Sequence, residues 1–211
     1  MITVEDPIEY LFEEGQCQFE QREVGIDTDS FADGIRSALR QDPNVIYIAE
    51  IRDRESLLAA MQAAETGHLV LTTLHADSVP QAIGRIREFY PANEQDNISA
   101  LLARSLNAIL CQRLVPGTAG RRIPCLEIMK RNPGTQEAIS TNDLNLLAGI
   151  IEASASEGMH SFDQYLLRLL QNGRVTEVAA RHAASNWNRL MMEMHGYARP
   201  VPGILKPDSD R

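Results

Sequence analysis

The sequence predicts an α/β fold, a parallel sheet with flanking helices followed by a small helical C-terminal subdomain, and three observations carry that reading. Val45-Ile-Tyr-Ile-Ala49 and Leu69-Val-Leu-Thr-Thr-Leu74 are short apolar runs bounded by polar residues, the pattern of strands covered on both faces. Between and around them, apolar residues repeat at helical spacing with short connections, as in alternating strand–helix units. After about Pro116 the strand signal fades and helical periodicity takes over.

Taken in order, Ile2-Thr-Val4 reads as the end of a buried strand, and the acidic Glu5-Asp6 follows at once. A domain rarely opens in mid-strand, so truncation upstream is expected. Asp29-Ser30 are cap-type residues ahead of a helix expected to run to about Gln41, before Pro43 breaks it. After the Val45–Ala49 strand, Leu57, Leu58, Met61 and Ala64 repeat at helical spacing up to Gly67. The Leu69–Leu74 strand leads to Ser78-Val-Pro-Gln81, a capping box for a helix whose Ile83 and Ile86 face inward. Ile98, Leu101, Leu102, Ser105, Ile109 and Leu110 form the clearest amphipathic helix in the chain. Ile123–Met129 is strand-like. Further helices are expected over Leu144–Ala155, over Phe162–Gln171 behind a Ser161-x-x-Gln164 box, and over Val175–Met194. The expected organisation is a core over residues 1–130, a helical subdomain over 131–196, and a disordered tail over 197–211, where proline and charge are dense.

The chain has 211 residues, 44% of them apolar, enough to bury a sizeable core. The formal net charge is -9 with no strongly basic stretch, and aromatics make up 5%. Nucleic acid is therefore not an expected partner, because its phosphates repel an acidic surface and its single strands need stacking platforms. Cys17, Cys111 and Cys125 are too far apart for a C-x-x-C zinc site, and their odd number excludes a complete disulfide framework. Three free, mostly buried thiols in a reducing compartment are expected. A signal peptide ahead of the first strand is not expected, and no apolar run in the 211 residues reaches the ~20 residues of a membrane span. A cytoplasmic location is the expectation.

Ligands of open α/β sheets bind beyond the carboxyl ends of the strands. Three polar groups occupy that position: Glu5-Asp6 after the first strand, Glu50 with Arg52 and Asp53 after the second, and His75 after the third. Two carboxylates and an imidazole converging on one crevice could hold Mg²⁺, orient a water and sense a phosphate. Spacing leaves other uses open. Carboxylates after strands also cap the next helix, and His75 equally suits a hydrogen-bonded turn.

Three longer strings resemble motifs of one family. Ile2-Thr-Val-Glu-Asp-Pro-Ile-Glu-Tyr10 resembles the aspartate box of the type II/IV secretion and pilus ATPases. Leu39-Arg-Gln-Asp-Pro-Asn-Val-Ile-Tyr-Ile-Ala-Glu-Ile-Arg-Asp53 is similar to their atypical Walker B region, and Ala64-Glu-Thr-Gly-His-Leu-Val-Leu-Thr-Thr-Leu-His-Ala76 to their histidine box. The order and spacing match as well. The lack of a four-cysteine zinc motif and the Gly158-Met-His-Ser-Phe-Asp-Gln164 string resemble the type IV pilus retraction branch, although the stretch around Glu137–Asp143 departs from the A-I-R-N-L-I-R-E-like segment of its principal motors. The resemblance implies a RecA-like P-loop NTPase core that uses ATP and Mg²⁺, assembles as a homo-hexamer, and drives pilus retraction or related secretion. It would sit in the cytoplasm, peripheral to the inner membrane, against a pilus or secretion platform protein and alongside a paralogous motor ATPase. By the same resemblance Glu5 polarises the attacking water, Glu50 acts on Mg²⁺ through coordinated water, and His75 approaches the γ-phosphate. Asp6, Arg52, Asp53 and His68 complete the nucleotide site. Arg36 and Arg40 either reach a neighbouring subunit or line a solvated helix face.

The motif G-x-x-x-x-G-K-[ST], which cradles phosphates in such enzymes, does not occur in the 211 residues. In the family that loop lies upstream of the aspartate box on a core strand of the same sheet. The chain by itself is therefore expected neither to bind ATP tightly nor to hydrolyse it, and to expose apolar sheet surface. The alternative is a non-catalytic, degenerate ring subunit or interaction module.

Overall fold

The computed structural model describes residues 1–195; the expected tail at 197–211 lies outside them. The described residues pack as two compact units, Met1–Cys111 with Ile128–Met159, and Gln112–Glu127 with residues 160–195.

The first unit is built on four parallel strands, β1 (Ile2–Glu5), β2 (Glu20–Glu23), β3 (Val45–Ile48) and β4 (Leu69–Thr72), in the order β2-β1-β3-β4. The α/β expectation holds. Because every strand runs the same way, all four carboxyl ends share one edge. Strand β2 has no apolar signature, since Glu-Gln-Arg-Glu is wholly polar; it forms because Arg22 buries its guanidinium among Glu20, Gln41 and the Gly34 carbonyl. In β3, Ile46 and Ile48 are fully buried while Val45 and Tyr47 are half-buried. Strand β4 corrects the sequence reading. Among the described residues it pairs with β3 alone, and Leu69 and Leu71 are 49% and 44% exposed. An apolar run reports affinity for a core, not that something covers it.

Helix α1 (Phe31–Ala38) starts at Ser30, whose hydroxyl accepts from the Asp33 N–H, and a 3-10 turn extends it over Leu39–Gln41. Asp42, at a φ of 53°, ends the run before Pro43. Gly34 lets α1 press on the sheet: a Cβ there would meet Val4 Cγ1 at 2.8 Å. Helix α2 (Arg54–Glu65) is capped by Asp53. Helix α3 (Val79–Glu88) is capped by Ser78, while the Gln81 side chain accepts from the Asp77 N–H at 2.6 Å, one residue earlier than a closed capping box requires. Helix α4 (Gln95–Ser105) stops short of the expected Ile109 and Leu110. Leu106 turns extended, and both residues enter β5 (Ala108–Pro116), which pairs with β6 (Arg122–Lys130). Cys111 and Val115 point inward on β5 and Leu110 outward, a period of two that overrides the helical spacing. Asn132 then opens α5 (Pro133–Ser140) with a full capping box, a helix the sequence reading did not include. Helix α6 (Leu144–Ala153) follows, capped by Asp143.

In the second unit, α7 (Phe162–Gln171) begins at the expected Ser161–Gln164 box. The helix expected over Val175–Met194 is two, α8 (Glu177–Ala183) and α9 (Trp187–Met194). The break arises because the Asp163 carboxylate accepts from the N–H groups of Ser185 and Asn186 at 2.7 and 2.8 Å, and Asn186 caps α9. Phe162, Leu166, Leu169 and Leu190 form the core here, with the Arg113 guanidinium 4.0 Å over the Phe162 ring.

None of the three thiols is in a disulfide; Cys111 and Cys125 are buried and Cys17 is exposed. Burial pushes the Cys125 thiol up to about 11, the nearby Arg113 charge opposing it. Thiolate is the reactive form. At pH 8 an aromatic disulfide reagent is expected to titrate one thiol in the native chain and three in denaturant, and Cys17→Ser should remove the native reaction.

Candidate functional site

The carboxyl ends of β1, β3 and β4 bring together residues far apart in sequence. The Arg52 guanidinium donates from one nitrogen to Asp6 Oδ2 at 2.7 Å and from Nε to Glu50 Oε2 at 2.7 Å. The other Glu50 oxygen lies 3.1 Å from His75 Nε2. Asp6, Arg52, Glu50 and His75 thus form one continuous chain of charged and polar groups across three strands. Glu50 is the shielded member, its side chain 19% exposed against 78% for His75. The hydrogen bond and charge of Glu50, reinforced by Asp6, raise the already high Arg52 pKa.

Backbone contacts hold the loops in register. The Ala49 N–H donates to the Val4 carbonyl at 2.9 Å, the Ile51 N–H to the Thr73 carbonyl at 3.1 Å, and the Thr73 hydroxyl to the Ala49 carbonyl. Arg85 donates to the His75 carbonyl at 2.9 Å, and a recess of about 310 Å³ lies beside it, lined by Leu74, His75, Ala76, Asp77, Gln81 and Arg85.

Glu5 sits deeper, 6% exposed. Its Oε1 accepts from the Thr3 hydroxyl at 2.6 Å and from the Gln21 amide at 3.0 Å. Neither residue was singled out by the sequence. Thr3 lies inside an apolar run, and Gln21 lies in the polar stretch that becomes β2. A sequence signal exists for Thr3, which stands two residues before Glu5 and so on the same strand face.

Two expected site residues direct their side chains to partners outside this cluster. The Asp53 carboxylate accepts from the Ser56 N–H at 2.8 Å as the cap of α2. His68 stands in the turn entering β4, its Nδ1 3.2 Å from the Ala63 carbonyl and 3.2 Å from the Thr66 hydroxyl. The four residues of β4, roughly 13 Å at 3.3 Å each, separate it from the edge that carries His75. Arg36, on α1, pairs with Asp33 at 3.2 Å, and together with Arg40 it lines a second recess with Asp27 and Asp29.

No group of three or more His, Cys, Asp or Glu side chains among the described residues is placed to hold a metal. Both Glu50 oxygens already face partners. That donor set suits Mg²⁺ arriving with phosphates and keeping its own waters, one carboxylate serving beneath it.

The model of the type II/IV secretion system protein family matches residues 1–143. The type IV pilus ATPase PilU of Pseudomonas aeruginosa is 41% identical over 197 residues, 92% of this chain and 52% of PilU. The pilus retraction ATPase PilT of the same organism is 37% identical over 184 residues, 87% of this chain and 54% of PilT. The crystal structure of the retraction motor PilT with bound ADP superposes with a TM-score of 0.77 at 39% identity, covering 88% of this chain and 52% of that one. The chain therefore spans about half the length of these relatives. With its parallel sheet and its polar cluster at the strands' carboxyl edge, it belongs to the type II/IV secretion system protein family, among the relatives of the pilus retraction ATPases.

Proposed function

We propose that these 211 residues form the water-activating and γ-phosphate-sensing part of an ATP-hydrolysing motor subunit that drives type IV pilus retraction. The Asp6–Arg52–Glu50–His75 chain carries the reading, because it ties the ends of three strands into one unit that a phosphate could perturb. In this reading Mg²⁺, when bound, neutralises charge developing on the transferred phosphoryl group. Glu50, whose carboxylate Arg52 orients, would be the residue that holds the ion, through an intervening water. Glu5 accepts a hydrogen bond from the attacking water and polarises it. His75, the exposed end of the chain, swings between Glu50 and the γ-phosphate and so reports nucleotide state. Asp6 keeps Arg52 aimed at Glu50.

The assembled motor would be a homo-hexamer in the cytoplasm, working against an inner-membrane platform protein beside a paralogous motor ATPase. No helix among the described residues is long and apolar enough to cross a membrane.

The absence of G-x-x-x-x-G-K-[ST] sets the test. The 211 residues alone are expected to show no calorimetric Mg-ATP binding and no hydrolysis. Joined behind the N-terminal half of P. aeruginosa PilT, where the resemblance places the phosphate-binding loop, they are expected to hydrolyse Mg-ATP. A folded fusion that binds nucleotide without turning it over would favour the degenerate ring subunit instead. Hydrolysis by the chain alone would overturn the division of labour between the two halves.

A further inference from the structure

We infer that Gln21 is a positioning residue for Glu5 and the coupling between that carboxylate and the exposed loop joining β1 to β2. The inference rests on the reading of Glu5 as the water-activating group.

The geometry begins with register. Thr3 pairs with Gln21 across the parallel β1–β2 ladder, and Glu5, two residues on, shares the Thr3 face. The Gln21 amide then uses all its polar groups at once. Nε2 donates to Glu5 Oε1 at 3.0 Å and to the Tyr10 carbonyl at 2.9 Å, while Oε1 accepts from the Phe12 N–H at 2.8 Å. The amide orientation is fixed by chemistry: flipped, it would set its oxygen against two acceptors and its NH₂ against a donor. With Thr3 and Gln21 both on Oε1, neither they nor any other described residue donates to Oε2, which is left for a ligand.

The other end of the link is the loop tip. Tyr10 and Leu11 are 80% and 83% exposed, and Phe12 stacks on Phe19 at 5.1 Å. Glu23, also on β2, accepts from the Ile8 N–H at 3.0 Å. The loop is therefore pinned to β2 by two side chains, and one of them is also bonded to Glu5. A displacement of Tyr10–Phe12 pulls on the same amide that orients the carboxylate.

Two variants separate the halves of the link. Gln21→Leu removes both, whereas Gln21→Glu keeps an acceptor for Phe12 and loses the donor to Glu5. In the 211-residue chain, Gln21→Leu is expected to speed amide hydrogen exchange at Phe12 by roughly 2–10-fold, the span of an ordinary net hydrogen bond. Glu5→Ala should speed it too while Gln21 is present, and add nothing in the Gln21→Leu background. Gln21→Glu should keep Phe12 protected yet shift the Glu5 carboxyl carbon resonance. In the PilT fusion, Gln21→Leu and Gln21→Glu are each expected to lower kcat by about tenfold or more, with KM for ATP unchanged. Phe12 exchange indifferent to Glu5, in chains whose Ile46 and Ile48 amides remain protected, overturns the coupling. Turnover lost on Glu5→Gln but kept on Gln21→Leu overturns the positioning role alone; turnover kept on both overturns the catalytic reading of Glu5.

Discussion

Glu5→Gln is expected to lower ATP turnover by the PilT fusion by about 10²–10⁴-fold, the range for losing a positioned general base, with the fold intact. The substitution is nearly isosteric. The new side-chain oxygen still accepts from the Thr3 hydroxyl and the Gln21 amide, which in the native protein sit 2.6 and 3.0 Å from Oε1. The new amide nitrogen falls where Oε2 stood, so the group that would polarise a water becomes a donor. Nucleotide affinity should change little, because Glu5 is 6% exposed and its side chain bonds to Thr3 and Gln21, not to the side chains of the Asp6–Arg52–Glu50–His75 chain. A turnover assay paired with nucleotide calorimetry reads both. Unchanged turnover would move the catalytic role elsewhere in the cluster; lost turnover with lost folding would make Glu5 structural.

Ile48→Ala is expected to destabilise the 211-residue chain by about 2–5 kcal/mol, a large share of the ~5–15 kcal/mol that folded domains possess. Ile48 is fully buried in the third strand, opposite Val4 in β1 and Thr72 in β4. Truncation leaves a cavity between elements that a rigid sheet closes only in part. The matching change Leu71→Ala, on a side chain 44% exposed at the sheet edge, should cost about 0.5 kcal/mol or less. Urea unfolding of the two variants and the parent decides it. Equal losses would mean that β4 is covered in solution, for instance by a second copy of the chain. Since Glu50 follows Ile48 by two residues, the fusion carrying Ile48→Ala should also lose turnover at temperatures where it remains folded.

How much of this was legible in the sequence differs by element. Caps were readable because their chemistry is local: Ser30, Ser78 and Ser161 each accept from the N–H three residues on. Apolar runs placed β1, β3 and β4, and strands of one direction placed Glu5, Asp6, Glu50, Arg52 and His75 on one edge. The family followed from the literal strings around those residues.

Other features depended on partners distant in sequence, and no window of the chain contains them. Strand β2 exists because Arg22 finds Gln41 and a Gly34 carbonyl. Ile109 and Leu110 leave the helical pattern because β6 supplies a ladder for β5. The helix at the C-terminal end breaks because Asp163, over twenty residues earlier, satisfies the backbone at Ser185 and Asn186. His68 and Asp53 carry the same chemistry as His75 and Asp6, yet one lies at the far end of β4 and the other is used by α2. Sequence by itself determined which residues can do chemistry, because side-chain type and strand direction are local properties. Tertiary structure decided which of them meet, because a hydrogen bond acts over about 3 Å and only the packed sheet brings Gln21 to Glu5 and Arg52 to Asp6.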